Sequence, residues 1–152
     1  MKEARKSKTV FLKEAEISVI IHATEDPSKV KKAITNLFPE EIAGLYMENI
    51  EESTYKGHYG NVITFYRIRV KGRDAVKLLK HLLSHMDTAS NALLKATLDE
   101  RVDDAGNLYI RVSKQDAYSG KVALYDGDDV IRLVFRPRYG KNMDWVVFFE
   151  EQ

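Results

Sequence analysis

The sequence predicts an α+β domain, a single mostly antiparallel sheet with helices packed on one face. Three observations predict it. Hydrophobic periodicity runs strand, helix, strand, strand, one or two helices, then several strands, unlike the steady alternation of a parallel sheet. No glycine-rich phosphate fingerprint follows a strand, which disfavours a doubly wound dinucleotide fold. Three strands each set an apolar row against an arginine-bearing row, as in an antiparallel sheet covered on one side only.

The elements follow in order. Residues 1–14 read as a basic, flexible arm, and 15–152 as one domain long enough to bury a real core. In "EISVIIHATE" Ile17, Val19 and Ile21 alternate with Ser18, Ile20 and His22, which predicts the first strand. "EDPSKVKKAITNLFP" is a helix with both ends marked: Asp26 can cap it, Pro27 suits its first position, and Pro39 stops it. Its stripe is Val30, Ala33, Ile34, Leu37 and Phe38. From Ile42 to Glu52 the pattern is weaker and is read as a strand with an acidic end. "KGHYGN" is a turn built on Gly57 and Gly60, and a strand runs from Val62 to Val70. "KGRDAVKLLKHLLSHM" predicts a second helix, and Asp87 or Ser90 can cap a third through Leu93, Leu94 and Leu98. Strands are then expected at Leu108–Ser113, Lys121–Leu124 and Val130–Arg136, with "DGDD" as a hairpin turn and "MDWVVFFEE" as a last edge strand.

Composition narrows the chemistry. The 152 residues contain no cysteine, which excludes disulfides, thiol nucleophiles and thiolate-bound metals. No stretch approaches the ~20 apolar residues of a membrane helix, and the charged start lacks a signal-peptide core, so a cytoplasmic protein without a membrane partner is expected. Net charge is only +1, but it is segregated. Between Tyr55 and Leu82 stand Lys56, Arg67, Arg69, Lys71, Arg73, Lys77 and Lys80 against Asp74 alone, whereas Pro39 to Ser53 holds Glu40, Glu41, Glu48, Glu51 and Glu52 with no cation.

The cations share a face. In β periodicity Val62, Thr64, Tyr66, Ile68 and Val70 point one way, and Ile63, Phe65, Arg67, Arg69 and Lys71 the other. Ile131, Leu133 and Phe135 oppose Arg132, Val134 and Arg136, with Arg138 following, and Leu108, Ile110 and Val112 oppose Tyr109 and Arg111. No acid interrupts the two longest of these rows. Charged strand residues commonly only face solvent and protect edges. The arginine bias tips the reading towards phosphate, which a guanidinium meets in a planar, bidentate way. Tyr59, Tyr66, Tyr109, Tyr118 and Tyr139 lie in the same segments, available for stacking on bases or packing in the core.

At "GHYGN" (57–61), "ERVDDAGNLYIRVSKQDAYSGKVAL" (100–124) and "DVIRLVF" (129–135), and back through "IHATEDPSKVKKAITNLFP" (21–39), the chain resembles the archaeal RNA-binding proteins described as exosome-associated. These are likened in fold to double-stranded-RNA-binding domains and to the ribosomal protein that holds 5S rRNA. The resemblance implies an archaeal, RNA-binding α+β domain, a homodimer, and a site that includes the turn and the "KQDAY" segment. The expected RNA-binding residues are therefore Lys56, His58, Tyr59, Asn61, Arg67, Arg69, Lys71, Arg111, Lys114, Gln115, Tyr118, Arg132, Arg136 and Arg138. His58, Asn61, Lys114 and Tyr118 are expected to approach one another or one rim of the sheet.

No reaction can be argued. His81 and His85 have metal-ligand spacing on a helix but lack the glutamate and third ligand of a metal motif. Lys114, Asp116 and Tyr118 lack a cofactor or oxyanion site, and no serine has a nucleophile-elbow context. The expectation is thus a non-enzymatic binder of structured RNA, without metal or cofactor. The other reading is an interaction or dimerisation module of a larger RNA-processing or ribosomal complex, using Trp145, Val147 and Phe149 on an exposed strand, although core packing also accounts for these aromatics.

Overall fold

The computed structural model describes residues 11–152, so the first ten residues of the expected arm lie outside it. Five strands form one antiparallel sheet in the order β2-β3-β1-β5-β4. They are β1 (Leu12–Ile21), β2 (Glu51–Lys56), β3 (Val62–Lys71), β4 (Leu108–Ser113) and β5 (Val130–Pro137). The central strand begins earlier than its hydrophobic run suggests. Leu12 is buried and pairs with Pro137 across a bulge before Glu14, so β1 takes in the last residues assigned to the arm.

Seven helices accompany the sheet: α1 (Pro27–Leu37), α2 (Glu40–Met47), α3 (Gly72–His85), α4 (Thr88–Ala96), α5 (Leu98–Arg101), α6 (Lys114–Tyr118) and α7 (Trp145–Glu150). In α1 the expected ends hold: Asp26 Oδ1 accepts from the Ser28 N–H at 2.9 Å, and Pro27 stands in the first turn. Val30, Ala33, Ile34 and Leu37 are its buried stripe, and α3 buries Ala75, Val76, Leu78, Leu79, Leu82 and Leu83. Both stripes join one core with Ile17, Ile68, Ile110, Ile131, Leu133 and Phe135 from the sheet. Asp87, not Ser90, caps α4, accepting from the Ser90 N–H at 2.6 Å.

Three expectations are corrected. Residues 40–47 are a helix, not a strand. Glu40 and Glu41 sit in its first turn, where carboxylates favour the positive end of the helix dipole, and Ile42, Ala43 and Tyr46 are buried. Tyr46 stacks on Phe38 at 5.5 Å, and its hydroxyl donates to Asp74 Oδ2 at 2.6 Å. Burial, and then that bond, push the phenol up to about 12. Residues 121–124 make only isolated bridges, Met86 with Val122 and Val112 with Leu124, so the strand expected between β4 and β5 does not form and "DGDD" closes no hairpin. The C-terminal aromatics form α7, capped by Asp144, instead of an edge strand. Trp145, Phe148 and Phe149 are buried at helical spacing and cluster with Phe11. The Trp145 indole N–H donates to the Gly106 carbonyl at 2.8 Å. Gly106 itself is obligatory, with φ +86° and no room for a Cβ against the Gly140 backbone.

Candidate nucleic-acid interface

Helices cover one side of the sheet. On the other, cross-strand pairing aligns side chains that are far apart in sequence. Arg67 pairs with Ser18, Ser18 with Arg132, and Arg132 with Arg111, with Glu51 beyond Arg67 at the β2 edge. Three arginines therefore share one row across five strands. The next row is Arg69, Glu16, Val134 and Tyr109, and the one after it Lys71, Glu14 and Arg136. Arg132 and Arg69 are exposed, Arg67, Arg111 and Arg136 are part-buried, and the alternate residues Ile131, Leu133 and Phe135 are within 1% of full burial.

The face is not purely cationic. Within β3 and β5 no acid interrupts the arginines, but the strand between them carries Glu14 and Glu16. Arg136 binds Glu14 at 3.0 Å, while Arg67 and Arg69 lie 3.7 and 3.9 Å from Glu16, and Arg69 lies 3.9 Å from Glu51. The Arg136–Glu14 pair is hydrogen-bonded, whereas the contacts of Arg67 and Arg69 are longer than a hydrogen bond; all are partly exposed, so they restrain the arginines weakly. Arg111 donates to the Gly127 carbonyl at 2.9 Å and, among the described residues, forms no ion pair, and the Arg132 side chain makes no hydrogen bond or ion pair there. The Nε–H groups of Arg67 and Arg111 are covered and have no acceptor there. Such groups cost free energy until an acceptor is found.

The hairpin from Lys56 to Asn61 projects from one end of this face. The Gly57 N–H donates to the Asn61 carbonyl at 2.6 Å, and Gly60 has φ +82°. His58 and Tyr59 form an edge-to-face pair at 5.1 Å, and Tyr59 is 93% exposed.

The "KQDAY" segment folds as α6 below the same end, since Lys114 reaches the carbonyl of Ile20 near the end of β1. Lys114 is turned inward. Its ammonium donates to Ile20 and to both Glu25 oxygens at 2.9–3.1 Å, and Asp129 stands 3.2 Å away. Tyr118 stays exposed with the ammonium groups of Lys32 and Lys29 over its ring at 4.8 and 5.9 Å. His58, Asn61, Lys114 and Tyr118 thus lie at one end of the sheet, each with other partners. An open groove of about 560 Å³ lies here, lined by Glu25, Lys29, Lys114, Gln115, Tyr118 and Asp129. Arg138 is exposed at the opposite end, where its N–H donates to Phe11. Glu14, Glu16, Ser18, Lys29 and Lys32 are the additions sequence reasoning missed. Only the strand register and the α1–α6 contact bring them into view.

His81 and His85 stack at 4.1 Å, with Nδ1 groups on the carbonyls of Leu37 and His81. No cluster of three or more potential metal ligands occurs among the described residues, and no described helix is long and apolar enough to cross a membrane.

Comparison with known proteins gives the family. A family model described as RNA binding matches residues 14–136. The chain is 39% identical over 118 residues to the RNA-binding protein PAB1135 of Pyrococcus abyssi, covering 77% of this chain and 76% of that one. It is 36% identical over 127 residues to an uncharacterized protein, MJ0213, of Methanocaldococcus jannaschii, covering 82% and 84%. Among solved structures, protein AF2318 of Archaeoglobus fulgidus superposes with a TM-score of 0.67 at 34% identity, covering 82% of this chain and 86% of that one.

Proposed function

The chain belongs to this RNA-binding family, and from that premise we propose that it holds structured RNA against the solvent face of its sheet. The observation that carries the reading is the row Arg67, Ser18, Arg132 and Arg111. Like charges directly opposite on neighbouring strands destabilise a sheet, and Arg132 faces Arg111 with no carboxylate on either. Charges meant only for solubility would be interspersed with acids, as Glu14 and Glu16 intersperse the neighbouring rows, whereas no ion pair joins Arg132 or Arg111 to an acid among the described residues. Phosphate oxygens resolve the repulsion by pairing with the guanidinium groups that reach solvent. Arg69 and Lys71, with Arg136 held by Glu14, extend the same face.

Lys56, His58, Tyr59 and Asn61 on the hairpin, with Gln115 and Tyr118 on α6, form the rim that would meet sugars or bases. Lys114 contributes by fixing α6 to β1, since its charge is already satisfied. A cytoplasmic setting, association with an exosome-like assembly and a homodimer are the finer readings implied by resemblance. Sedimentation and recovery of the native complex test them.

The direct test replaces Arg67, Arg69 and Arg132 together by glutamine. The fold should survive, because Arg69 and Arg132 are exposed and glutamine at Arg67 removes a covered Nε–H that has no acceptor among the described residues. Affinity for structured RNA should fall, and the slope of log affinity against log salt should become shallower by about one unit per lost phosphate contact. Unchanged affinity and slope in filter binding would place the RNA elsewhere on the molecule.

A further inference from the structure

Beside the arginine row, on the same solvent face, lies a row that has no use for phosphate. Phe65 pairs with Ile20 on one side and Ser53 on the other, and the pair Tyr55 and Ile63 follows it. Ile20, Ile63 and Phe65 are only part-buried, and Tyr55 is 58% exposed. On the covered side, Val19, Ile21 and Tyr66 beside Ile20 and Phe65 are buried, whereas Val62 and Thr64 beside Ile63 are exposed and part-buried. The sheet thus carries an apolar, aromatic platform on the face that helices leave open. The guanidinium of Arg67 sits 5.5 Å from the Phe65 ring centre, joining the platform to the arginine row.

We infer that this face is built for unpaired nucleotides, with bases on Phe65 and Tyr55 and their phosphates on Arg67, Arg132 and Arg111. The inference rests on the RNA-binding reading above and names the class of RNA segment it takes. Same-face side chains two residues apart along a strand are separated by about 6.7 Å. One nucleotide spans that distance from base to phosphate. A duplex keeps its base faces stacked inside and offers a protein its backbone and groove edges, so it would leave Phe65 and Ile20 against phosphate. An unstacked base offers a π-face to an aromatic ring, and a sheet surface is a known kind of platform for it. In a structured RNA the occupant is a loop, bulge or end.

A second copy of the chain is the poorer occupant. Two such faces brought together would oppose arginine rows to each other, while Glu14, Glu16 and Glu51 already have arginine partners in their own chain. Charge complementarity therefore favours a polyanion.

The experiment measures fluorescence anisotropy of a labelled, unstructured 12-nucleotide RNA, alone and annealed to its complement, titrated with the full chain over a salt series. The single strand is expected to bind at least about tenfold more tightly than the duplex. Phe65→Ala should weaken single-strand binding by about 5- to 100-fold without changing the salt slope, because it removes stacking and no charge. Phe65→Trp should retain binding, which separates loss of the ring from loss of the fold. Arg132→Gln should change the slope instead. Equal or tighter duplex binding overturns the inference while leaving the RNA-binding reading intact. So does a single strand that responds to Arg132→Gln but not to Phe65→Ala. Wild-type protein that binds neither RNA at the lowest salt overturns both.

Discussion

Lys114, expected at the RNA-binding rim, has structural partners of its own. Its side chain is 7% exposed, and Glu25 and Asp129 both reach it, so the charge is held inside between the end of β1, α6 and the start of β5. Lys114→Ala should destabilise by about 2–3 kcal/mol, less than the ~3–5 of a fully buried pair because its two acids keep access to water. Urea unfolding measures this, and RNA affinity per folded molecule should change little. His81 provides a pH test. Burial, and then the charge of His85, hold its imidazole below the ordinary 6.5. The unfolded chain therefore binds the proton more readily. Stability should be full above that value and decline as pH falls through it towards the lower folded-state value. His81→Gln should flatten this part of the profile, measured as Tm from about pH 7.5 to about 5.5.

Among the elements, the helices with two independent signals were legible. Asp26, Pro27, the stripe of α1 and Pro39 all agree, and the structure repeats them. The short elements were not. In α2 only three buried residues carry the pattern, too few to separate helix from strand. In α7, Trp145, Phe148 and Phe149 do follow helical spacing, but Trp145, Val147 and Phe149 also alternate. The Asp144 cap and the buried site beside Phe11 and Gly106 decide between them. Asp144→Ala should cost about 1 kcal/mol, the usual value of a lost N-cap. Trp145→Ala should cost about 3–5 kcal/mol through its cavity and the orphaned Gly106 carbonyl. Thermal or urea melts of both variants check the order. Since α7 joins the core and not the arginine face, both should bind RNA normally wherever they remain folded.

For the whole molecule, the sequence by itself determined the α+β class, the one-sided sheet and which residues of β3, β4 and β5 point away from the helices. Strand periodicity is a local property, written in alternate residues, and it assigns Arg67, Arg111 and Arg132 to the solvent side without knowledge of their neighbours. The resemblance in "GHYGN" and "KQDAY" pointed to RNA before the fold was visible. Only the tertiary structure decided what each arginine meets. Residues 18, 67, 111 and 132 become one row through the β3-β1-β5-β4 pairing. The same pairing sets Glu14 and Glu16 among the cations, and a strand read alone contains no trace of that. The expected rim was partly dissolved for a related reason: Lys114 finds Glu25, 89 residues away in sequence, and turns inward. Pairing across strands is set by the joint packing of the core and the connections between strands. Short-range pattern therefore fixes which way a side chain points, and long-range register fixes its electrostatic partner.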